Sequence, residues 1–331
     1  MTFIRKPVAA TTPPARPRQE RPRWLIPAVG AGALLLAGLA AWVLLAWMPP
    51  APAPLPVPSA VPSAAILGAP PAAIPITVAT EAQIAVHDSD RPRVFRFADN
   101  PLILILDYPT LRQQGLALNR VAAFIEKATL PKDRVLDDDA LAMEIARAGE
   151  TIDSYYYGHD YAAADLTRFF ATADRDGVPL NPDESFVRTL IRQEGLTDPA
   201  NRGALITVAR VGPDSVDAFT RRIILRHELS HGEFFTNPAY AAFVRHAWND
   251  ILTAEERALF HRFLGDQGYD LANTDLLANE MQAFLLFTPD DRYISPERLG
   301  IDAEALRALR ARVLAAMPDG WLRRLATAPL P

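Results

Sequence analysis

The sequence of 331 residues contains no cysteine. This absence excludes disulfide bonds, cysteine-ligated zinc, iron–sulfur clusters and thiol catalysis. Histidine is scarce as well, so any histidine-dependent chemistry must use one of six residues. They are His87, His159, His227, His231, His246 and His261. Because half of the residues are hydrophobic, the chain can build the core of one large domain and is not disordered throughout.

Net positive charge is lacking in the main body of the chain. Residues 1–23 carry six basic side chains and one acidic side chain, and residues 24–80 carry no charge. Residues 81–331 hold the other 28 of the 34 basic and 38 of the 39 acidic side chains, a net charge of −10. An acidic body lacks the concentrated basic face that nucleic-acid binding requires, so we expect no nucleic-acid partner.

The uncharged stretch 24–48 predicts a transmembrane helix that remains as an uncleaved signal anchor. Its length of about 37 Å as a helix would exceed the roughly 30 Å of a bilayer core, whereas a cleaved signal peptide has a shorter apolar region. The basic tail 1–23 would then stay in the cytoplasm, and the main domain would be periplasmic or otherwise extracytoplasmic. Residues 49–75 contain ten prolines and no charge, which predicts an extended linker.

Residues 76–331 predict an α+β domain that is mostly helical. Short apolar runs at 84–86, 94–97 and 102–106 indicate two or three strands in a small sheet near the start of the domain. Residues 204–209 predict a further strand. Helical periodicity covers nine ranges. They are about 110–128, 138–149, 160–173, 183–194, 215–235, 239–252, 254–265, 274–287 and 303–316.

The predicted helix 215–235 contains the HExxH pattern at residues 227–231. Residues four apart lie on one face of a helix, so His227 and His231 can direct ring nitrogens at one metal ion. Glu228 lies about 100° further round, where its carboxylate can reach a metal-bound water. Zinc lowers the pKa of that water and a carboxylate takes the proton, so the pattern predicts zinc-dependent hydrolysis with Glu228 as general base. The alternative is a chance match with two hydrogen-bonded core histidines.

A catalytic zinc needs a third protein ligand. Asn237 stands six residues after His231, where the metzincin pattern has a third histidine. Glu280 lies within the apolar face of the predicted helix 274–287, where a lone carboxylate is costly unless it is paired or bound to a metal. We expect Glu280 to be the third ligand, and the alternative is a buried salt bridge to Arg222 or Arg226. Other later glutamates have local explanations as capping or first-turn residues of helices. They are Glu255, Glu256, Glu297 and Glu304.

The HExxH pattern and the later segment from Asn279 to Ala283 resemble gluzincin-type zinc metallopeptidases over residues of about 203–288. The resemblance implies a zincin-like domain in which His227, His231 and Glu280 bind Zn²⁺ and Glu228 is the catalytic base. It also implies that the strand 204–209 is an edge strand that aligns the substrate.

Several supporting roles around this site stay open. A donor to the oxyanion is expected from a tyrosine or histidine, and the candidates are His246, His261, Tyr240, Tyr269 and Tyr293. Asp250 or Asp270 is a candidate to hold a ligand histidine in place. The aromatic segment 155–161 lines a substrate groove or contributes packing only.

These observations predict a membrane-anchored zinc-dependent hydrolase of the peptidase type, which acts on a peptide or protein substrate in the cell envelope. Two alternatives remain. One is a non-catalytic envelope binding module that contains zinc, and the other is a helical envelope protein without metal. An intact Glu228 favours the hydrolase, because a structural zinc site needs no base.

Overall fold

The computed structural model describes residues 73–198 and 201–329, of which about 55% are helical. A five-stranded mixed sheet has the order β1-β2-β3-β5-β4. The strands are β1 (Ile76–Ala79), β2 (Arg93–Phe97), β3 (Ile103–Tyr108), β4 (His159–Ala162) and β5 (Ala204–Ala209). The pairs β1/β2 and β3/β5 are parallel, whereas β2/β3 and β4/β5 are antiparallel.

Twelve α-helices and one π-helical turn surround this sheet within the described ranges. The helices are α1 (Glu81–Ala85), α2 (Leu111–Ile125), α3 (Asp138–Arg147), α4 (Ala163–Asp176), α5 (Pro182–Gln193), α6 (Ala218–Thr236), α7 (Pro238–His246), α8 (Ala254–Gly265), α9 (Thr274–Phe287), α10 (Pro296–Leu299), α11 (Ala303–Ala316) and α12 (Trp321–Thr327). The π-helical turn, Ala247–Ile251, follows α7 directly.

Capping residues determine where the helices near the HExxH pattern begin. Asp217 precedes α6, and its carboxylate accepts a hydrogen bond of 2.7 Å from the backbone N–H of Thr220. Asn237 ends α6 and also caps α7, where its side chain accepts from the backbone N–H groups of Ala239 and Tyr240. Side-chain acceptors of this kind satisfy the free N–H groups of the first turn. The position that would hold a third histidine in the metzincin pattern is therefore used for capping.

The sheet lies between two helical layers because its strands are apolar on both faces. Alternate residues of β3 point to opposite faces, so Ile103 and Ile105 pack in the same cluster as Ile224 of α6. Leu104 and Leu106 pack in a second cluster together with residues of α2, α4 and α5. The helix that carries the HExxH pattern is thereby held against one face of the sheet.

The sheet differs from the predicted one in extent and order. Its strands come from residues 76 to 209, and helices separate all of them except β2 and β3, so the fold is mixed α/β rather than α+β with a small N-terminal sheet. The strand at 204–209 is confirmed, but it lies between β3 and β4 and is not an edge strand. Residues 84–85 belong to α1 instead of a strand, because Thr80 and Gln83 form a capping box that starts a helix there.

The predicted helix 160–173 begins later, at Ala163, because the preceding residues pair with β5. These residues form β4, which ends the sheet in the described part of the chain. The predicted ranges 254–265, 274–287 and 303–316 are confirmed as α8, α9 and α11.

The membrane-spanning part of the predicted architecture is corrected as well. Within residues 73–198 and 201–329, no helix combines the length and the apolar character that a bilayer span requires. The segment 24–48, from which a transmembrane helix was predicted, lies outside the described residues, as do the tail 1–23 and most of the linker 49–75. We therefore do not retain the predicted single-pass topology or the extracytoplasmic location that depended on it.

Candidate metal centre

Two helices bring the three predicted metal ligands together. His227 and His231 lie one turn apart on α6, and Glu280 lies on α9. Each histidine Nε2 atom is 3.9 Å from the same Glu280 oxygen, Oε2. All three side chains are completely buried. The arrangement thus places two imidazole nitrogens and one carboxylate around a common point.

The chemistry of these atoms fits a divalent cation. A tetrahedral centre with bonds of 2.0–2.1 Å places its ligand atoms about 3.3–3.5 Å apart, so the observed 3.9 Å needs only a small contraction. Neither histidine Nε2 has a hydrogen-bond partner. Burial lowers the pKa of both His227 and His231 well below the ordinary value, which keeps the rings in the neutral form that binds metals.

Burial raises the pKa of Glu280 to about 8. A nearby cation would favour its charged form and offset this cost. Tyr269 donates a hydrogen bond of 3.1 Å to Glu280 Oε2. Among the five residues considered as oxyanion donors, Tyr269 is therefore the one that contacts a ligand, and this contact holds the carboxylate of Glu280 in position.

Thr288 fixes the tautomer of His227. The Thr288 hydroxyl donates its proton to the carbonyl of Ala283 at 3.0 Å. Its contact of 2.6 Å with His227 Nδ1 must then be one in which the ring N–H donates. With the proton on Nδ1, the lone pair of Nε2 faces His231 and Glu280. Metal-binding histidines are commonly oriented through the nitrogen that does not bind the metal.

Asp250 and Asp270, predicted candidates for that supporting role, lie elsewhere. Asp250 contacts the exposed His246 at 2.8 Å, and Asp270 accepts from the backbone N–H of Ala272. The alternative salt bridge between Glu280 and Arg226 is not formed, because Arg226 pairs with Glu81 at 3.1 Å. The local roles predicted for Glu255, Glu256, Glu297 and Glu304 are confirmed, because all four lie in the first turns of helices.

Glu228 is a buried carboxylate beside the ligands. It is completely buried, and neither carboxylate oxygen has a hydrogen-bond partner. Burial raises the pKa of Glu228 well above its ordinary value, and the charges of Asp160 and Glu280 raise it further. A buried carboxylate in this state is costly unless a proton or a cation compensates it. Glu228 is thus available to exchange a proton.

Gly158, the residue before β4, lies against Glu228. A Cβ atom added to Gly158 would lie 2.1 Å from Glu228 Oε1 and 2.9 Å from Ile224 Cγ2. A methyl group at this position would therefore force the Glu228 carboxylate to move. Asp160 pairs with Ile206 in the sheet and points to the face that carries α6. Sequence reasoning noted the aromatic residues of this segment but missed Gly158 and Asp160, which carry no motif.

The aromatic segment around β4 is internal. Tyr155, Tyr156 and Tyr161 are completely buried, and the first two rings pack edge to face with centroids 4.8 Å apart. His159 is also buried, and its Nδ1 contacts the hydroxyl of Tyr161 at 2.9 Å. Burial lowers the pKa of His159 to about 3, so its ring is neutral at physiological pH. Tyr155 and Tyr156 belong to the same apolar cluster as Ile224 of α6, whereas Tyr161 belongs to the cluster on the other face of the sheet.

Comparison of the chain with models of known protein families, with curated proteins and with solved structures finds no match. The resemblance to gluzincin-type metallopeptidases therefore stays a prediction from the motif. Any functional conclusion has to come from the arrangement of His227, Glu228, His231 and Glu280 themselves.

Proposed function

We propose that the chain is a metal-dependent hydrolase that cleaves peptide bonds. One observation carries the proposal: His227 Nε2, His231 Nε2 and the Glu280 carboxylate converge in the core beside a second carboxylate, Glu228, whose oxygens have no partner. A structural metal site is closed by four protein ligands and needs no general base. The additional buried acid is costly to the fold, and proton transfer explains its presence.

The proposed chemistry assigns separate tasks to the four side chains. A bound divalent cation supplies Lewis-acid chemistry, since it polarises a carbonyl group and makes water easier to deprotonate. Glu228 accepts a proton from the attacking water and returns it to the leaving amine. His227, His231 and Glu280 hold the cation, and Thr288 and Tyr269 keep two of these ligands oriented.

Zinc is the proposed cation. Two neutral imidazoles and one carboxylate form the donor set of many catalytic zinc sites, with one position left for water. Imidazole also binds copper, nickel and iron, so the experiment must identify the metal. The proposed substrate, a peptide or a protein, follows from the most common use of the HExxH pattern.

The test compares the full chain with three Glu→Gln variants. Metal content is measured by elemental analysis, and cleavage is measured on a denatured protein and a mixed peptide library. Glu228→Gln should retain zinc and lose at least 100-fold in turnover, because a general base contributes about 10²–10⁴-fold. Glu280→Gln should lose at least 10–100-fold in zinc affinity, a range that even supporting residues reach. Glu255→Gln, at an exposed helix start, is the control and should change neither.

Two outcomes would contradict the proposal. Turnover of Glu228→Gln within threefold of wild type would remove the general base. A wild-type chain that binds zinc in one-to-one ratio and cleaves neither substrate would favour the non-catalytic zinc-binding module.

A further inference from the structure

A pocket outside the metal centre lies between the end of α9, helix α11 and the residues that follow α12. Its volume is about 260 Å³. Since a cavity of about 150 Å³ holds a benzene molecule, this pocket has room for a small molecule that is somewhat larger than benzene. None of the four residues of the candidate metal centre lines the pocket, so the two sites are separate.

The wall of this pocket is apolar apart from two arginines. Leu286 and Phe287 of α9 are buried and contribute to the wall, together with Leu325 of α12. Among the described residues of the wall, Arg226 and Arg310 are the charged ones and none is acidic. A wall with this charge favours an anion over a cation.

Arg226 has its partners within the protein and completes the wall. Its Nε atom donates to Glu81 Oε1 at 3.1 Å, so a carboxylate balances its charge. Its Nη1 atom donates to the carbonyl of Ala328 at 3.1 Å, and its Nη2 atom donates to the carbonyl of Pro329 at 3.4 Å. These contacts hold the residues after α12 in place and leave Arg310 as the charged group that a ligand can meet.

Arg310 differs from Arg226 because most of its guanidinium has no partner. Its Nε atom donates to the carbonyl of Leu285 at 2.6 Å. Its Nη1 and Nη2 atoms contact no acceptor among the described residues, and neither atom is buried, so a ligand can reach both.

The charge of Arg310 is partly removed from water. Burial lowers the pKa of Arg310, and the charge of Asp291 partly offsets this effect. The arginine stays charged at physiological pH all the same. A partly buried charge without an ion-pair partner costs free energy that a bound anion would recover.

We propose that this pocket binds a small monocarboxylate with an apolar body. The carboxylate accepts from Nη1 and Nη2 of Arg310, because the planar guanidinium matches a carboxylate with two parallel hydrogen bonds. The apolar body packs against Leu286, Phe287 and Leu325. A phosphate or a dicarboxylate fits less well, since its further charged oxygens would face apolar side chains. The proposal stands apart from the proposed hydrolysis, because the two sites share no residue.

The first test compares three ligands on the full chain by calorimetry and by ligand-observed NMR. We expect saturable binding of cyclohexanecarboxylate. Cyclohexanecarboxamide has nearly the same shape without the charge and should bind about tenfold weaker or worse, because hydrogen bonds between charged groups are the stronger ones. Acetate keeps the charge without the ring and should also bind about tenfold weaker or worse, because the burial of the ring is lost.

Substitutions at Arg310 show whether the carboxylate binds where proposed. Arg310→Gln removes the charge and the paired donors, so it should weaken binding of cyclohexanecarboxylate about tenfold or more. Arg312→Gln is the matched control and should bind as wild type does. Arg312 lies on the same helix, pairs with Glu256 and does not line the pocket.

Substitutions at Ala328 test the same site without a change of charge. Ala328 lines the pocket and is exposed, so it lies at the mouth. Ala328→Phe should block the mouth and weaken the binding of cyclohexanecarboxylate, whereas Ala328→Ser should bind as wild type does. This pair keeps the test decisive if Arg310→Gln does not fold.

A metal ion at the candidate centre can also bind a carboxylate, so each titration is repeated after a chelator has removed metal. Binding in the pocket should be unchanged by the chelator. Absence of saturable binding to wild type, equal binding of cyclohexanecarboxylate and its amide, or full binding by Ala328→Phe would overturn the proposal. Binding that the chelator abolishes would place the carboxylate on the metal and would overturn it as well.

Discussion

Helix α6 carries two buried polar clusters that differ in how well their atoms are satisfied. Near its start, Arg221 is completely buried and makes two hydrogen bonds to Asp107, at 2.8 and 2.9 Å. The same guanidinium also donates to the carbonyls of Ile84, Ala85 and Ala209. Two turns later, His227, Glu228 and His231 are equally buried, yet both histidine Nε2 atoms and both Glu228 oxygens lack partners.

The difference indicates that the two clusters have different roles, one structural and one in binding or catalysis. The Arg221 cluster has every donor used, and it ties α6 to the ends of β3, β5 and α1. A satisfied cluster of this kind orients an element and needs nothing from outside. In the second cluster, the Nε2 atoms of both histidines and both Glu228 oxygens are buried without hydrogen bonds. This state is typical of groups that bind a ligand or a reacting molecule. Changes in the first cluster should therefore affect stability, and changes in the second should affect metal binding and turnover.

The largest expected effect comes from breaking the satisfied cluster. Arg221→Ala removes the guanidinium from three carbonyls and from the Asp107 carboxylate, which keeps only its contact of 2.6 Å with His87. Removal of one partner from a buried ion pair typically costs about 3–5 kcal/mol. In a domain of this size, that loss lowers the Tm by at least about 6 °C. Thermal unfolding of the full chain is the measurement.

Arg210→Ala is the matched control for that variant. Arg210 contacts Asp88 at 3.5 Å near the surface, with side chains 38% and 80% exposed. Exposed pairs contribute about 1 kcal/mol or less, so its Tm should change by no more than about 4 °C. Equal shifts for both variants would mean that the Arg221 cluster has no special role in holding α6.

A smaller effect, confined to turnover, is expected at Gly158. In Gly158→Ala the new methyl group would lie 2.1 Å from Glu228 Oε1, so the carboxylate has to move. A displacement of about 1 Å in a catalytic group can cost about 100-fold in rate. Zinc content should stay at the wild-type level, because Glu228 does not hold the metal in the proposed site. Peptide cleavage and elemental analysis test both parts.

Gly320→Ala is the control for this substitution, because an added Cβ there meets nothing within 4 Å. It should leave cleavage and zinc content unchanged. If Gly158→Ala loses zinc together with activity, the residue before β4 acts on the ligands rather than on the general base.

The positions of the predicted ligands were accessible from sequence because each has a local signature. The two histidines and Glu228 share one helix with fixed spacing, and Glu280 is the one acid that interrupts the apolar face of α9. The helices α8, α9 and α11 have strong periodicity and capping residues, so their bounds were predicted correctly as well.

The features that sequence analysis missed depend on contacts between distant parts of the chain. Thr288 contacts a histidine 61 residues away, and Gly158 covers a carboxylate on another element. Strand β4 has four residues, too few for a clear alternation, and its structure depends on pairing with β5. The order of the strands could not be predicted either, because β4 joins the sheet beyond β5 although it precedes β5 in the chain.

The smallest expected effect concerns the contact that orients His227. His227 Nδ1–H donates to the Thr288 hydroxyl, so one atom of the second cluster does have a partner. Thr288→Val removes this acceptor and keeps the volume of the side chain. The ring would then lose the contact that selects its tautomer, and loss of such a contact costs about tenfold in metal affinity at the low end of the usual range. Chelator competition measures the affinity. Thr288→Ser retains the hydroxyl and should stay within twofold of wild type, a rescue that a purely structural role would not require. Equal affinity for Thr288→Val and wild type would show that other contacts orient His227.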